Sequence, residues 1–354
     1  MKRARRESDA GRSQEEQNGD GERHPSLWLE DGNIIISAKS SETQKLVLFR
    51  VHKSILSRQS DVFAGLFSLP DTLENYHDGG SGGVNDVPIV HLQDDAEGIT
   101  DLLNITYNPL DFELFSRKRN PDFPLLSSRL LTLADKYHLD VLKAKIIERF
   151  TADWPKTLEE WDALEAAGER LEERMSLFDR LNWPEELLPE PISAAIFAEK
   201  AKVPDILTAI FLDLYRASRK TDWDKAGPGP LFFICGKGAR WSMAPRELLF
   251  TLILIQGAIE GSIGYCVRDL LTDIEVEDGC RSNQTCQRLR NEKRHETTES
   301  IWECRDPLAA LRSISEWSRE TPSVCESCRV WIVRRVPNAR QIIWDAVRKV
   351  IIRQ

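Results

Sequence analysis

Apolar and polar positions first fall into a regular pattern at residue 24. Asn33 to Ser37 is short and β-branched, the pattern of a strand, and the polar stretch after it reverses the chain into a second strand, Lys45 to Val51. After His52 the period becomes helical. Ile55, Leu56, Val62, Phe63, Leu66 and Phe67 recur at helical separations, with Ser60 and Asp61 placed to cap between two short helices, and Phe63, Leu66 and Phe67 are expected in the core. Pro70 stops the helix, and the glycine-rich residues 71–87 predict an exposed flexible loop. Pro88 to Leu92 predicts a third strand, Asp94 and Asp95 cap a helix carrying Ile99, Leu102, Leu103 and Ile105, and a loop over 108–124 leads to a helical pair ending at Phe150.

The second half is patterned as helix. Leu158, Trp161, Leu164, Leu171, Met175, Phe178 and Leu181 follow near-heptad spacing, which predicts an amphipathic helix lying against the first module and ended by Trp183-Pro184. Residues 191–218 predict two helices divided at Val203-Pro204, followed by the linker Ala226-Gly227-Pro228-Gly229-Pro230. The longest apolar run, Leu248 to Ile259, is bracketed by Glu247 and Glu260; at about half the roughly 20 residues a membrane span needs, it reads as a buried helix. Residues 1–23 are polar, highly charged and expected to be disordered.

Composition supports two folding units. At 354 residues, 41% hydrophobic and 30% charged, the chain exceeds one core and is neither wholly disordered nor fibrous. Its net charge of −9 argues against a protein that coats nucleic acid. That value averages an acidic front with a basic end: residues 280–354 hold 15 Lys and Arg against 9 Asp and Glu. The excess, which includes Arg334-Arg335 and Arg348-Lys349, is expected to face solvent or dock on the chain's own acidic residues 153–190. No apolar segment follows the basic cluster Lys2-Arg3-Ala4-Arg5-Arg6, so the chain is expected to be intracellular, in nucleus or cytoplasm, with the cluster a candidate import signal. In such a compartment seven cysteines need not pair.

Several motifs in order resemble the BTB/POZ domain, in particular its large fungal group. They are Asp31-Gly32-Asn33, then Phe49-Arg50-Val51-His52-Lys53 leading into Ile55-Leu56, then Ser57 and Ser60 followed by Phe63 and Leu66-Phe67, and finally Leu133-Ala134-Asp135-Lys136-Tyr137. His24-Pro25 and Leu27-Trp28-Leu29-Glu30 are similar to the fungal subgroup. The resemblance implies a small sheet capped by helices over residues 24–150, working as a protein interaction module that commonly dimerises. In such families it also implies adaptors of cullin-based ubiquitin ligases or nuclear corepressor recruitment. Ser68-Leu69-Pro70-Asp71 departs from the hydrophobic residue and nearby Glu of cullin binders, and the stretch before the first strand offers no clear room for the extra helix exchanged in many dimers. The expected architecture is thus α+β: a tail over 1–23, a BTB/POZ domain over 24–150, a helical extension over 151–225 and a mostly helical region over 226–354.

Candidate chemistry is sparse. His52 lies where strand becomes helix and has no nucleophile or orienting acid at motif spacing, so it reads as a structural histidine that bonds backbone groups at the turn. Gly236-Lys237-Gly238-Ala239 lacks the upstream glycine and following Ser or Thr of a phosphate loop and reads as a turn. Cys325-Glu326-Ser327-Cys328 has the gap that lets two thiolates grip one zinc, and Cys280 with Cys286 can supply a second pair, Cys304 or His295 being substitutes. The gap between Cys280 and Cys286 is wider than a usual knuckle, no thioredoxin pattern supports redox chemistry, and ordinary thiols outweigh a structural zinc on sequence alone. The chain is therefore read as a non-enzymatic scaffold or adaptor. Its partners would be other proteins, a second copy or a cullin, with no membrane and no direct nucleic acid; a nuclear transcription-associated regulator is the remaining alternative.

Overall fold

The computed structural model describes residues 21–69, 74–76, 87–109, 120–175, 190–217, 219–225, 238–272, 280 and 283–353. The chain is α+β and divides into two compact units, one of Met1–Ser116 with Leu126–Ile146, the other of Arg117–Leu125 with Ile147–Gln354. The division passes through helices Phe123–Lys136 (α4) and Asp140–Thr151 (α5), and residues 147–225 fall in the same unit as those from 226 onward.

The first unit is built on a five-stranded sheet of order β1-β3-β2-β5-β4, from Glu22–Trp28 (β1), Ile34–Lys39 (β2), Leu46–Val51 (β3), Glu74–Tyr76 (β4) and Val87–Asp95 (β5). The predicted hairpin is β2 and β3, antiparallel from Ile34 opposite Val51 to Lys39 opposite Leu46. Helices Lys53–Gln59 (α1) and Asp61–Ser68 (α2) follow, and β5 returns parallel to β2.

Two strands correct the sequence reading. β1 begins within the expected tail and pairs parallel with β3, burying Leu27 while His24 stacks on Phe49 at 5.1 Å. β4 lies in the expected loop and pairs antiparallel with β5; residues 77–86 are outside the described set. Neither segment has strong strand composition. Each is recruited by the open edge of a strand that does.

Ser60 caps α2 as its position predicts, accepting from the Phe63 N–H at 3.0 Å and donating to the Tyr137 carbonyl. Phe63 is buried and stacks on Tyr137 at 4.4 Å, whereas Leu66 and Phe67, expected in the core, are only half-buried. The motif residues at the end of the hairpin interlock. Arg50 Nε donates to the Gly32 carbonyl, the Asn33 side chain accepts from the Lys53 N–H at 2.8 Å, and a Cβ at Gly32 would stand 2.9 Å from the Val51 nitrogen. His52 is structural in another way than expected: its N–H and Nδ1 meet the Tyr107 hydroxyl, at 2.8 and 3.1 Å, and Nε2 lies 3.2 Å from Asp31.

Helix Ala96–Tyr107 (α3) is capped by Asp95, whose carboxylate accepts from the Gly98 N–H. In its first turn Glu97 accepts from Ser40 Oγ at 2.6 Å and from the N–H and Oγ of Ser41. Burial pushes this carboxyl up, but the Ser40 and Ser41 donors and its own backbone N–H outweigh that and hold it at about 2, from the usual 4.5. A depressed carboxyl stabilises the fold above its unfolded value and loses that contribution as pH falls through its folded value. Wild type should therefore be more stable than Glu97→Gln at pH 7, with the difference shrinking between about pH 4.5 and 2. Urea unfolding of both proteins across that range tests it; a constant difference would refute the assignment.

The second unit contains Leu158–Met175 (α6), Pro191–Ala201 (α7), Leu207–Arg216 (α8), Arg246–Leu271 (α9), Asn283–Cys304 (α10), Pro307–Glu320 (α11) and Glu326–Ile352 (α12). The predicted division between α7 and α8 is present: Lys202 turns left-handed at φ 57° and Pro204 opens a short 3-10 turn. Every residue of α8 is buried. α12 packs against α8, α9 and α11, and Phe123, Phe150 and Phe197 form an aromatic cluster. Trp183-Pro184, Gly236 and Lys237 lie outside the described residues, while Ala239 forms a bridge with Asp222 ahead of α9.

Charges in this unit pair across long stretches of chain. Arg340 grips Asp162 with both terminal nitrogens, and Arg312 pairs with Glu169, so basic residues of α11 and α12 do meet acidic residues of α6. Arg335 pairs instead with Asp269 at 3.0 Å. At the end of α8, Arg216 forks onto Glu165 with two 2.9 Å bonds, reaches Asp213 through Nε at 2.9 Å and touches Asp306 at 3.2 Å.

The apolar run beginning at Leu248 departs most from expectation. α9 is 26 residues, long and apolar enough by length and composition to cross a membrane, and only one side of it is buried. Leu248, Leu252, Ile255, Ile259 and Ile263 point inward, whereas Phe250 and Ile253 remain 60% and 63% exposed. The glycines at 257, 261 and 264 hide the continuation of the helix from a search for unbroken apolar stretches.

Candidate metal centre

Two helix starts bring the predicted cysteines together. Cys325 is the N-cap of α12 and Cys328 lies in its first turn, while Cys286 lies in the first turn of α10, just after Cys280. The Sγ atoms of Cys280, Cys286, Cys325 and Cys328 all lie within 4.8 Å of one another, and none of the four is in a disulfide. The five-residue gap between Cys280 and Cys286, too wide for a standard knuckle, is accommodated because helix α10 begins within it.

The spacing suits a single ion. Four thiolates at the ~2.3 Å Zn–S distance in a tetrahedron stand about 3.8 Å apart, and here Cys280 lies 3.6 Å from Cys325 and 3.5 Å from Cys328. An all-thiolate set selects zinc, an iron–sulfur centre or Cu(I) over harder cations. Four protein ligands also close the site, leaving no coordination position for a substrate.

The surroundings favour thiolate at one position and oppose it at others. Burial works against charge on Cys325, yet the Cys328 backbone N–H and the neighbouring thiols of Cys328, Cys280 and Cys286 together bring it down to about 6. Burial pushes the Cys286 and Cys328 thiols up. The start of α12 also directs backbone N–H groups and the positive end of its dipole toward the cluster, and the Cys325 N–H donates to Cys286 Sγ at 3.3 Å. Val324, Leu289 and Trp317 pack around the sulfurs.

Sequence reasoning missed Arg290. It is only 7% exposed, its Nη1 donates to Cys328 Sγ at 3.3 Å, and its Nε is buried without a hydrogen-bond partner. A cation there offsets the double negative charge that four thiolates leave around a divalent ion. Its position one helical turn after Cys286 was the available signal, once α10 is recognised as a helix. Of the substitutes, His295 is largely exposed beside Glu299 and Cys304 is disulfide-bonded, so neither joins the cluster.

Comparison with models of known protein families, with curated proteins and with solved structures finds no match to this chain.

Proposed function

We propose that this protein is a zinc-braced scaffold that works by protein recognition. The observation that carries the reading is the closed four-cysteine cluster, whose spacing suits one tetrahedral ion and whose ligands leave no position for a substrate. Such a site builds structure. In this reading the ion ties the start of α10 to the start of α12 and so fixes the helices that α12 packs against.

The first unit supplies the recognition. Its hairpin, its two short helices and its parallel return strand give the small sheet with helices that the BTB/POZ resemblance implies, with the Gly32, Arg50 and Lys53 motif residues interlocked at one turn. A partner would bury a complementary patch of about 800 Å² on each side. Metal analysis of full-length protein purified without added zinc should find one equivalent per chain; below about half an equivalent, the structural site is refuted. Affinity purification of the full chain should recover a stoichiometric protein partner, a cullin marking the ligase adaptor among scaffolds. Recovery of the chain alone would overturn the recognition reading.

A further inference from the structure

We infer that the chain forms a two-fold symmetric dimer through the exposed face of α9. This face is apolar along most of its length. Leu249, Phe250, Ile253, Leu254 and Tyr265 are between 38% and 63% exposed, while the opposite face packs against α8 and α12. Isolated apolar residues on a surface need no explanation, but a continuous helical stripe does.

The stripe is divided into two kinds of surface. Its first half carries four of the five bulky side chains, and its second half carries Gly257, Gly261 and Gly264, where an added Cβ would meet nothing within 4 Å, together with Tyr265. Glycine weakens a helix interior, and packing within the protomer does not require it at these positions. A second helix pressed against them would.

Antiparallel pairing about Gly257 matches the two halves. In that register Phe250 faces the partner's Gly264, Ile253 faces the partner's Gly261, and Leu249 faces the partner's Tyr265. Bulk then meets a gap at the Phe250 and Ile253 levels, and symmetry repeats every contact. Parallel pairing would set Phe250 on its own copy and leave glycine opposite glycine. The five large side chains expose about 500 Å² of apolar surface per copy, so a two-fold pair removes on the order of 1,000 Å², where specific interfaces begin.

A bilayer is the competing occupant, because α9 is long and apolar enough to enter one. The same face, however, carries Glu260 near the middle of the helix, whose carboxylate accepts from Gln256. A helical pair leaves that group at its wet rim, whereas lipid would cover it.

Sedimentation velocity of the full chain at micromolar concentration should give the dimer mass. Ile253→Glu should weaken association at least ~100-fold with helical content by circular dichroism unchanged, since it places a charge in the centre of the pair. A second measurement does not depend on that variant folding. Full-length Gly257→Cys, oxidised mildly, should yield a dimer linked 257 to 257 by mass spectrometry, and Met243→Cys, in the turn before α9, should not. A monomeric wild type overturns the inference, as does a dimer that survives Ile253→Glu without a 257 link. Sedimentation of wild type with phosphatidylcholine vesicles, lost in Ile253→Glu, replaces it with the membrane reading.

Discussion

If zinc occupies the four-cysteine site as proposed, stripping it is expected to cost the second unit a large part of its stability. Apparent zinc binding to small structural sites at pH 7 is worth about 10 to 16 kcal/mol, and because the ion binds only the folded chain, that energy is folding energy. Much of it offsets the burial of thiolates, so a loss of about 5 kcal/mol is a reasonable scale here. For a unit of this size that lowers Tm by roughly 10 to 20 °C. Cys328→Ser should reproduce the effect of a chelator and be insensitive to added chelator, because it removes a buried ligand together with the sulfur that Arg290 contacts. Scanning calorimetry on wild type and Cys328→Ser, each with and without chelator, separates the cases. A wild-type transition that chelator does not move would sink the zinc reading.

Arg216→Ala should destabilise the same unit by about 3 to 5 kcal/mol, the range for removing one partner from a buried ionic cluster. The guanidinium is buried and contacts three carboxylates, Glu165, Asp213 and Asp306, with the Trp161 ring 4.8 Å from its centre. Without it the three carboxylates lose the guanidinium that bridges them. Asp306 is affected twice, because it also caps α11 by accepting from the Ala309 N–H. Arg216→Lys should recover only part of the loss, since an ammonium cannot fork onto Glu165 while also bonding Asp213. Denaturant unfolding followed by tryptophan fluorescence checks both variants; a loss under about 1 kcal/mol in Arg216→Ala would show that the cluster breaks even against its own desolvation.

What the sequence revealed depended on whether the deciding interaction was local. Ile34, Ile35 and Ile36 form a strand wherever they find a partner, and Ser60 caps α2 through a bond three residues long, so the hairpin and the helix pair were legible. β1 and β4 were not, because the open edges of β3 and β5 decide their pairing. The Cys325 and Cys328 pair was visible from its gap. That Cys280 and Cys286 close the same site, and that Arg290 supports it, depended on where α10 starts. Arg216 illustrates the limit: its partners Glu165 and Asp306 lie 51 and 90 residues away, and nothing about an arginine in isolation points to them.

The bond between Arg340 and Asp162 spans 178 residues of chain, and this has a consequence for the order of synthesis. α6 emerges from the ribosome long before α12, so Asp162, the Trp161 ring that meets Trp344 and the apolar side of α9 must wait for the last helix of the unit to be made. At roughly 5 to 20 residues per second that wait lasts many seconds, during which the nascent helices expose the surfaces most prone to aggregate. The second unit thus completes its packing only once α12 has been made, and a chain interrupted before α12 would leave those surfaces exposed even though most of its helices are already present.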